Sequence, residues 1–330
     1  MVNVLFTSAG RRVELLQAFR KAFQELELEG HIIAVDIDPL APTLQLADRA
    51  YIVPRLGSPE YIPTLVDICR HEQADLIFPL IDPDVPVLAR HKQDIEATGA
   101  RLAVVPLDAV EVISDKWLTK RFFEGSGLKV PRSWLPAQLN PEELEYPAFI
   151  KPRRGSASER TFTVRDRREL TFFIDYVPNP IIQEHLPGPE ITCDVICGLD
   201  KLVWAVVCRQ RIEVRQGEVS KGTTVFDPAI VRACLRIAEA LPAVGPITVQ
   251  CILKEGTPHF TEINARIGGG CPLAIAAGAN FPRWYLAWAA GINVEVPSLD
   301  SYKTGLYLTR YDQSFFLAEH EQEHIKRHRV

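Results

Sequence analysis

Glu262-Ile263-Asn264 sets a carboxylate and an amide two residues apart. Alternation along a strand carries both to one face. Arg266 keeps the same parity, and Gly268-Gly269-Gly270 follows it. The segment reads as the second arm of a hairpin, Ile247–Leu253 and His259–Asn264, about the turn Lys254-Glu255-Gly256-Thr257. Gln250 on the first arm offers a third side-chain oxygen. Oxygens of this kind suit a hard cation, Mg²⁺ or Mn²⁺, that shares its shell with phosphate oxygens. A guanidinium and free backbone N–H groups beside them would take up the charge of a phosphoryl group in transfer. The alternative is a polar strand facing solvent.

Further segments point the same way. Lys151 follows the apolar run Ala148-Phe149-Ile150 and leads into Gly155-Ser156-Ala157-Ser158, a small-residue loop whose N–H groups, that of Ser156 among them, could cover phosphates. The run Ile181–Leu186 breaks at Pro187-Gly188-Pro189 before a lone Glu190. Such a break frees backbone groups for an adenine edge, and Glu190 could accept from ribose hydroxyls. Arg209 and Arg211 end an apolar strand, Leu202–Cys208, with Arg215 and Lys221 beyond. They form either a grip for a substrate carboxylate or phosphates, or a surface set paired with Glu213 and Glu218. Asp82 and Asp84 could hold a substrate ammonium or cap the helix that follows. Thr7-Ser8-Ala9-Gly10-Arg11-Arg12 is either an anion site at a helix start, with Ser8 and Arg11 as candidates, or a tight turn.

These residues need elements to hold them. Through residue 110, short β-branched runs (Asn3–Thr7, Ile32–Ile37, Ala50–Val53, Asp75–Leu80, Leu102–Val105) alternate with helical stretches at Arg11–Glu27, 59–72 and 84–98. That alternation predicts a doubly wound parallel sheet, whose ligands sit at the carboxyl ends of the strands. The clusters at Thr7–Arg12 and Asp82–Asp84 lie at two such ends. Only Gly10 is present where a dinucleotide fingerprint needs three glycines, which weighs against a nicotinamide-dependent oxidoreductase. From 114 the pattern becomes α+β. Helices are expected at Ser114–Glu124 (capped by Ser114), 166–176 and 228–241, and strands at Ile181–His185, Glu190–Cys197 and Leu202–Arg211. The expected division is 1–113, 114–185 and 186–330.

The 330 residues are 47% hydrophobic and 24% charged, with a net charge of −5, so a full core is affordable and no broad basic field invites nucleic acid. No apolar run approaches the roughly 20 residues that span a bilayer. The start lacks a charged segment ahead of an apolar one, and seven scattered cysteines suit reduced thiols in a cytoplasm. Cys193 and Cys197 read as buried thiols, and Phe281, Trp284, Tyr285 and Trp288 as core at helical spacing. His320-Glu321-Gln322-Glu323-His324 fits a zinc motif literally, but its polar neighbours Lys326-Arg327-His328 predict a solvated terminal helix.

Taken together the residues resemble the ATP-grasp superfamily, and most closely the synthetase unit of the large chain of carbamoyl-phosphate synthetase. The likeness runs through Ile247-Thr-Val-Gln-Cys, Phe260-Thr-Glu-Ile-Asn-Ala-Arg, Gly278-Ala-Asn-Phe-Pro and Ala290-Gly291, with Asp115-Lys116 and Thr119-Lys120 at the entry. It is specific over about 113–292. It implies an N-terminal α/β domain and two α+β lobes clamping Mg-ATP. By this resemblance Lys116 and Lys151 contact nucleotide phosphates. Glu184 and the backbone of His185 and Leu186 hold adenine, and Glu190 holds ribose. Gln250, Glu262 and Asn264 hold the metal, and Arg266 stabilises the phosphoryl group; Gly268 and Gly269 are substrate candidates on their own residues rather than by the resemblance. The loop after Lys151 has one glycine where the synthetase has a run. One unit is too little for two phosphorylations, so the resemblance implies a carboxylate–amine ligase working through an acyl phosphate, with an amino acid as one substrate. It leaves open an ATP-binding sensor of the same fold, and a homodimer.

Overall fold

The computed structural model describes residues 1–155, 159–215, 217–299, 301–318 and 325–327. Strands β1 (Val4–Thr7), β2 (Ile32–Asp36), β3 (Arg49–Ile52), β4 (Leu76–Pro79) and β5 (Arg101–Leu102) form a parallel sheet. Every residue of β1, β2 and β4 is buried, as it must be when helices cover both faces. Helix α1 (Val13–Glu25) turns Leu15, Leu16, Phe19, Ala22 and Phe23 to that sheet. Helix α2 (Tyr61–His71) follows β3. The stretch predicted as one helix at 84–98 is two, α3 (Asp84–Arg90) and α4 (Lys92–Glu96), which meet at His91. The strand predicted at Leu102–Val105 is shorter, because its pairing with β4 covers only Arg101 and Leu102.

Helix α5 (Leu107–Ile113) leads to α6 (Lys116–Gly125). The predicted cap Ser114 instead ends α5, and Asp115 caps α6 by accepting from Trp117 and Leu118 N–H. A small antiparallel sheet follows, ordered β6-β9-β7-β8 from β6 (Ser133–Trp134), β7 (Ala148–Pro152), β8 (Phe162–Val164) and β9 (Pro180–Glu184), with α7 (Arg167–Tyr176) packed on it. The third sheet is a six-stranded antiparallel one, β14-β13-β10-β11-β12-β15. Its strands are β10 (Glu190–Cys197), β11 (Val203–Arg215), β12 (Glu218–Val225), β13 (Pro246–Lys254), β14 (Thr257–Asn264) and β15 (Tyr307–Thr309). Helices α8 (Pro228–Ala240), α9 (Cys271–Ala276) and α10 (Phe281–Ala290) complete it.

Two hydrophobic cores each draw on both the parallel sheet and the six-stranded antiparallel one, while the small sheet keeps one of its own around Ala148, Ile150, Val164, Leu170 and Ile182. In one shared core, Tyr285 of α10 meets Phe78 of β4 at 4.9 Å between ring centres, and Phe78 in turn packs with Phe6 and Phe19. Each such side chain fully buried stabilises by roughly 1.5–3 kcal/mol. Phe281, Trp284 and Tyr285 are core, as their spacing predicts, and Trp288 packs half-buried against them. All seven cysteines are free and buried. The residues 320–324 lie outside the described ones. Close by, β16 (Ile325–Arg327) is a strand rather than part of a terminal helix, and it pairs in parallel with β3. No helix among the described residues is long and apolar enough to cross a membrane.

Candidate active site

The β13–β14 hairpin holds its register through one buried face. Val249, Cys251, Phe260, Ile263 and Ala265 point into the core. A bulge between Phe260 and Glu262 shifts the alternation by one residue, so Glu262, Asn264 and Arg266 turn away from the core although they share the parity of Phe260, and Gln250 stands directly across from Glu262. With its amide turned to satisfy its neighbours, Gln250 donates to Glu262 Oε2 (3.1 Å) and accepts from Arg211 Nη1 (3.2 Å). The Asn264 side chain makes no hydrogen bond among the described residues.

Lys151 comes from the small sheet. Ala148 and Ile150 of β7 are fully buried, and Lys151 leaves on the opposite face. It lines a cavity of about 110 Å³ with Lys116, Arg154, Gly155, Thr161 and Glu262. Burial pulls its ammonium down to about 8; Glu262 opposes that shift and Lys116 adds to it. No hydrogen bond or ion pair holds Lys151 among the described residues. Lys116 opens α6 beside it and donates from Nζ to Gly155 O at 2.7 Å. The loop after Lys151 is clasped there as well. Arg153 donates twice to Asp115 (2.6 and 3.1 Å), and its carbonyl accepts from Lys116 N. Burial pushes the Asp115 carboxyl up, but Arg153 and the helix N–H groups hold it below its usual range. Ser156 lies outside the described residues.

At the end of β9, the Glu184 carboxylate accepts from Arg132 N (2.7 Å) and Arg132 Nε (3.1 Å). That carboxylate is therefore tied to the strand across from it. His185 stacks on Phe149 at 5.2 Å, and Leu186 is buried. Glu190 is paired with Arg211 at 2.6 Å, so two residues expected to serve different ligands neutralise one another.

A second cavity, about 270 Å³, shares Lys116, Gly155 and Glu262 with the first and adds Asp82, Ser114 and Asn264. A third, about 80 Å³, shares Asn264 and adds Arg12, Arg209, Arg211, Gln250, Arg266 and Gly268–Gly270. The three form one cleft along the hairpin. Asp82 enters it and takes Arg266 at 3.0 Å across 184 residues of sequence. Asp84 does not enter it. Its buried carboxylate accepts from Thr7 Oγ1 (2.6 Å) and Ser8 Oγ (2.8 Å), which uses up Ser8 too and leaves Asp84 neither a free ammonium site nor a helix cap. Burial pushes it up to about 6 against those two bonds. Arg11 is exposed and lies outside the cleft.

The expected arginine grip divides. Arg209 is 3% exposed and makes a bidentate pair with Asp194 (2.6 and 2.9 Å), so it is part of the fold rather than a free ligand. Its guanidinium supports the glycine loop: a Cβ on Gly270 would fall 2.1 Å from Arg209 Nη1. A Cβ on Gly269 would fall 2.3 Å from Arg12 Nη1. Arg215 pairs with Asp312 and Lys221 with Glu213. Sequence reasoning missed Arg154 in the phosphate-side cavities; of the Thr7–Arg12 cluster read as a candidate anion site, it is Arg12 that lines the cleft.

One carboxylate and two amides do not make an independent metal cage, and the described residues contain no cluster of three His, Cys, Asp or Glu side chains that could hold an ion. The set fits a Mg²⁺ that arrives on phosphates, with Lys151 and Lys116 to meet the remaining charge.

Residues 4–103 match the family "PylC-like, N-terminal domain", and residues 113–270 match "ATP-grasp domain". The D-alanine–D-alanine ligase A of Bacillus cereus is 25% identical over 235 residues, 62% of this chain and 77% of that protein. The carbamoyl phosphate synthase large chain of Thermomicrobium roseum is 25% identical over 292 residues, 80% of this chain and 26% of that one. Among solved structures, the L-amino acid ligase of Bacillus licheniformis superposes with a TM-score of 0.68 at 20% identity, over 88% of this chain and 74% of that one, which shows a shared fold. The chain thus carries an ATP-grasp domain at residues 113–270 behind a PylC-like N-terminal domain at residues 4–103, the fold it shares with the ligases named above.

Proposed function

We propose that the protein joins a carboxylate to an amine at the expense of ATP, through an acyl phosphate, with an amino acid as one of the two substrates. The observation that supports this most directly is the meeting of two charge sets in one cleft. Glu262 and Asn264 face the lysines of the phosphate-side cavity, and Arg266 with Gly268–Gly270 continues along the same hairpin. Mg²⁺, held by Glu262 and Asn264 with Gln250 nearby, would supply charge neutralisation to the phosphates. Lys151 and Lys116 would orient the triphosphate. Glu184, His185, Leu186 and Glu190 would border the adenosine. Arg266, released from Asp82, would meet the phosphoryl group in transfer.

The chemistry requires such a site because a carboxylate is a poor electrophile. One carboxylate oxygen attacks the γ-phosphorus and ADP leaves with the bond electrons. The amine, having lost a proton, attacks the carbonyl carbon. The C–O bond to phosphorus breaks, phosphate leaves with that electron pair, and the nitrogen releases its second proton. No enzyme nucleophile takes part. Preorganised donors at such charge are worth roughly 2.7–4 kcal/mol each.

Carboxylate labelled with ¹⁸O tests the order. A screen of amino-acid pairs for phosphate release, with mass analysis of products, first supplies the substrates. One label should then appear in the released phosphate. Label in AMP would mean adenylation and defeat the acyl-phosphate reading. ATP hydrolysis with no transfer of label would favour the ATP-sensing alternative.

A further inference from the structure

A cavity of about 380 Å³ adjoins the cleft but is not part of it. Arg12, Glu218, Val219 and Gly269 line both this cavity and the 80 Å³ end of the cleft. The first turn of α1 forms one side, and the start of β12 another. Residues 309–313 with Phe315 close it, in a stretch beyond the matched ATP-grasp region. Arg310 pins that stretch down by donating to Gly269 O (2.6 Å) and Val219 O (3.2 Å) and pairing with Glu14 (2.9 Å).

At the boundary between the two spaces Glu218 stands between two arginines, Arg12 at 3.1 Å and Arg310 at 3.6 Å. Burial, reinforced by Arg266 and Arg310, holds the Arg12 guanidinium below its ordinary range despite Glu218. A second anion there would relieve it. Four arginines line the cavity against three carboxylates, so it favours a ligand carrying a negative group. Val13, Pro42 and Phe315 add apolar wall. The combination of a cation, an anion and an apolar pocket matches a zwitterion with an apolar arm.

We propose that this cavity takes the amine partner of the ligation as an α-amino acid with an apolar side chain. The carboxylate lies on Arg12, the ammonium on Glu218 at the boundary with the cleft, and the side chain among Val13, Pro42 and Phe315. The assignment as the amine partner rests on the ligase reading; binding in the cavity does not.

The test is calorimetric titration of the whole chain with leucine, leucinamide and aspartate, with Mg²⁺ and a non-hydrolysable ATP analogue present. Leucine should bind, with leucinamide and aspartate at least about tenfold weaker, because each loses or opposes one of the charged or apolar contacts. Phe315→Asp should weaken leucine by a similar factor without changing affinity for the nucleotide analogue. Phe315 is 41% exposed, so the variant should fold, and its melting temperature checks this. Failure of leucine to bind, equal affinity for leucine and leucinamide, or indifference to Phe315→Asp would each overturn the proposal. The two readings separate cleanly. Leucine binding lost in Phe315→Asp, with no label reaching phosphate, would uphold the pocket and sink the ligase. Label transfer with leucine insensitive to the variant would do the reverse.

Discussion

Two hairpins of the same sheet carry charged side chains toward ligand-sized spaces, and they treat them differently. On β11–β12, Arg209, Arg211, Arg215 and Lys221 each have a carboxylate partner within the protein. On β13–β14, Asn264 has no hydrogen-bond partner among the described residues, Glu262 has only an amide, and Lys151 opposite them has none. Polar groups paired within the fold explain themselves as structure. Half-buried groups left unsatisfied in a cleft call for something from outside. An arginine-rich strand is thus a poorer guide to a site than a single underpartnered lysine.

Breaking the pairs should separate the two hairpins. The largest expected effect is on stability: Asp194→Ala strands Arg209 as a buried, uncompensated cation and should cost about 3–5 kcal/mol, read from denaturant unfolding. Next comes Glu262→Gln, which should lower ADP formation by about 10²–10³-fold while the melting temperature stays put. Activity within about tenfold of wild type would remove Glu262 from the metal site. Lys151→Ala should weaken ATP binding by about ten- to a hundredfold by calorimetry, the loss of one charge-assisted contact. Since Lys151 in the free protein gives up its proton near pH 8, ATP binding above that pH should draw a proton in. Affinity should therefore fall as pH rises through about 8. The proton uptake, seen as a buffer-dependent heat, should vanish in the alanine variant. Arg215→Ala should do least. Its pair with Asp312 is solvent-exposed, and a stability change above about 1 kcal/mol would contradict the contrast.

The hairpin was legible because its logic is local. From Glu262 to Arg266 alternation fixes which side chains share a face, while the bulge that puts Phe260 on the other one left no mark in the pattern. The parallel sheet was legible for a similar reason, with buried runs alternating with amphipathic helices. What escaped was set by distance along the chain. Asp115 displaces Ser114 as the cap because its carboxylate also receives Arg153, 38 residues on. Arg209 finds Asp194 only through the β10–β11 register, which puts the two on one face in diagonal positions. Asp84 loses its solvent to two hydroxyls at the end of β1, 76 and 77 residues earlier. Arg310 and β16 carry no motif; their places depend on where the end of the chain travels after the last helix.

The separate core of the small sheet has a kinetic consequence. The two larger sheets share their hydrophobic interiors, so parting them would expose apolar surface on both. The small sheet shares none of that interior and is fastened near the site by the Arg153–Asp115 clasp and the Lys116 contacts. A body with its own interior lifts at the cost of its fastenings alone. Lys151 rides on that body, whereas Glu262 belongs to the fixed one. If the proposed ligation holds, the turnover clock would be the rate at which this small flap lets go of its nucleotide, with Asp115 as the catch that sets the dwell time.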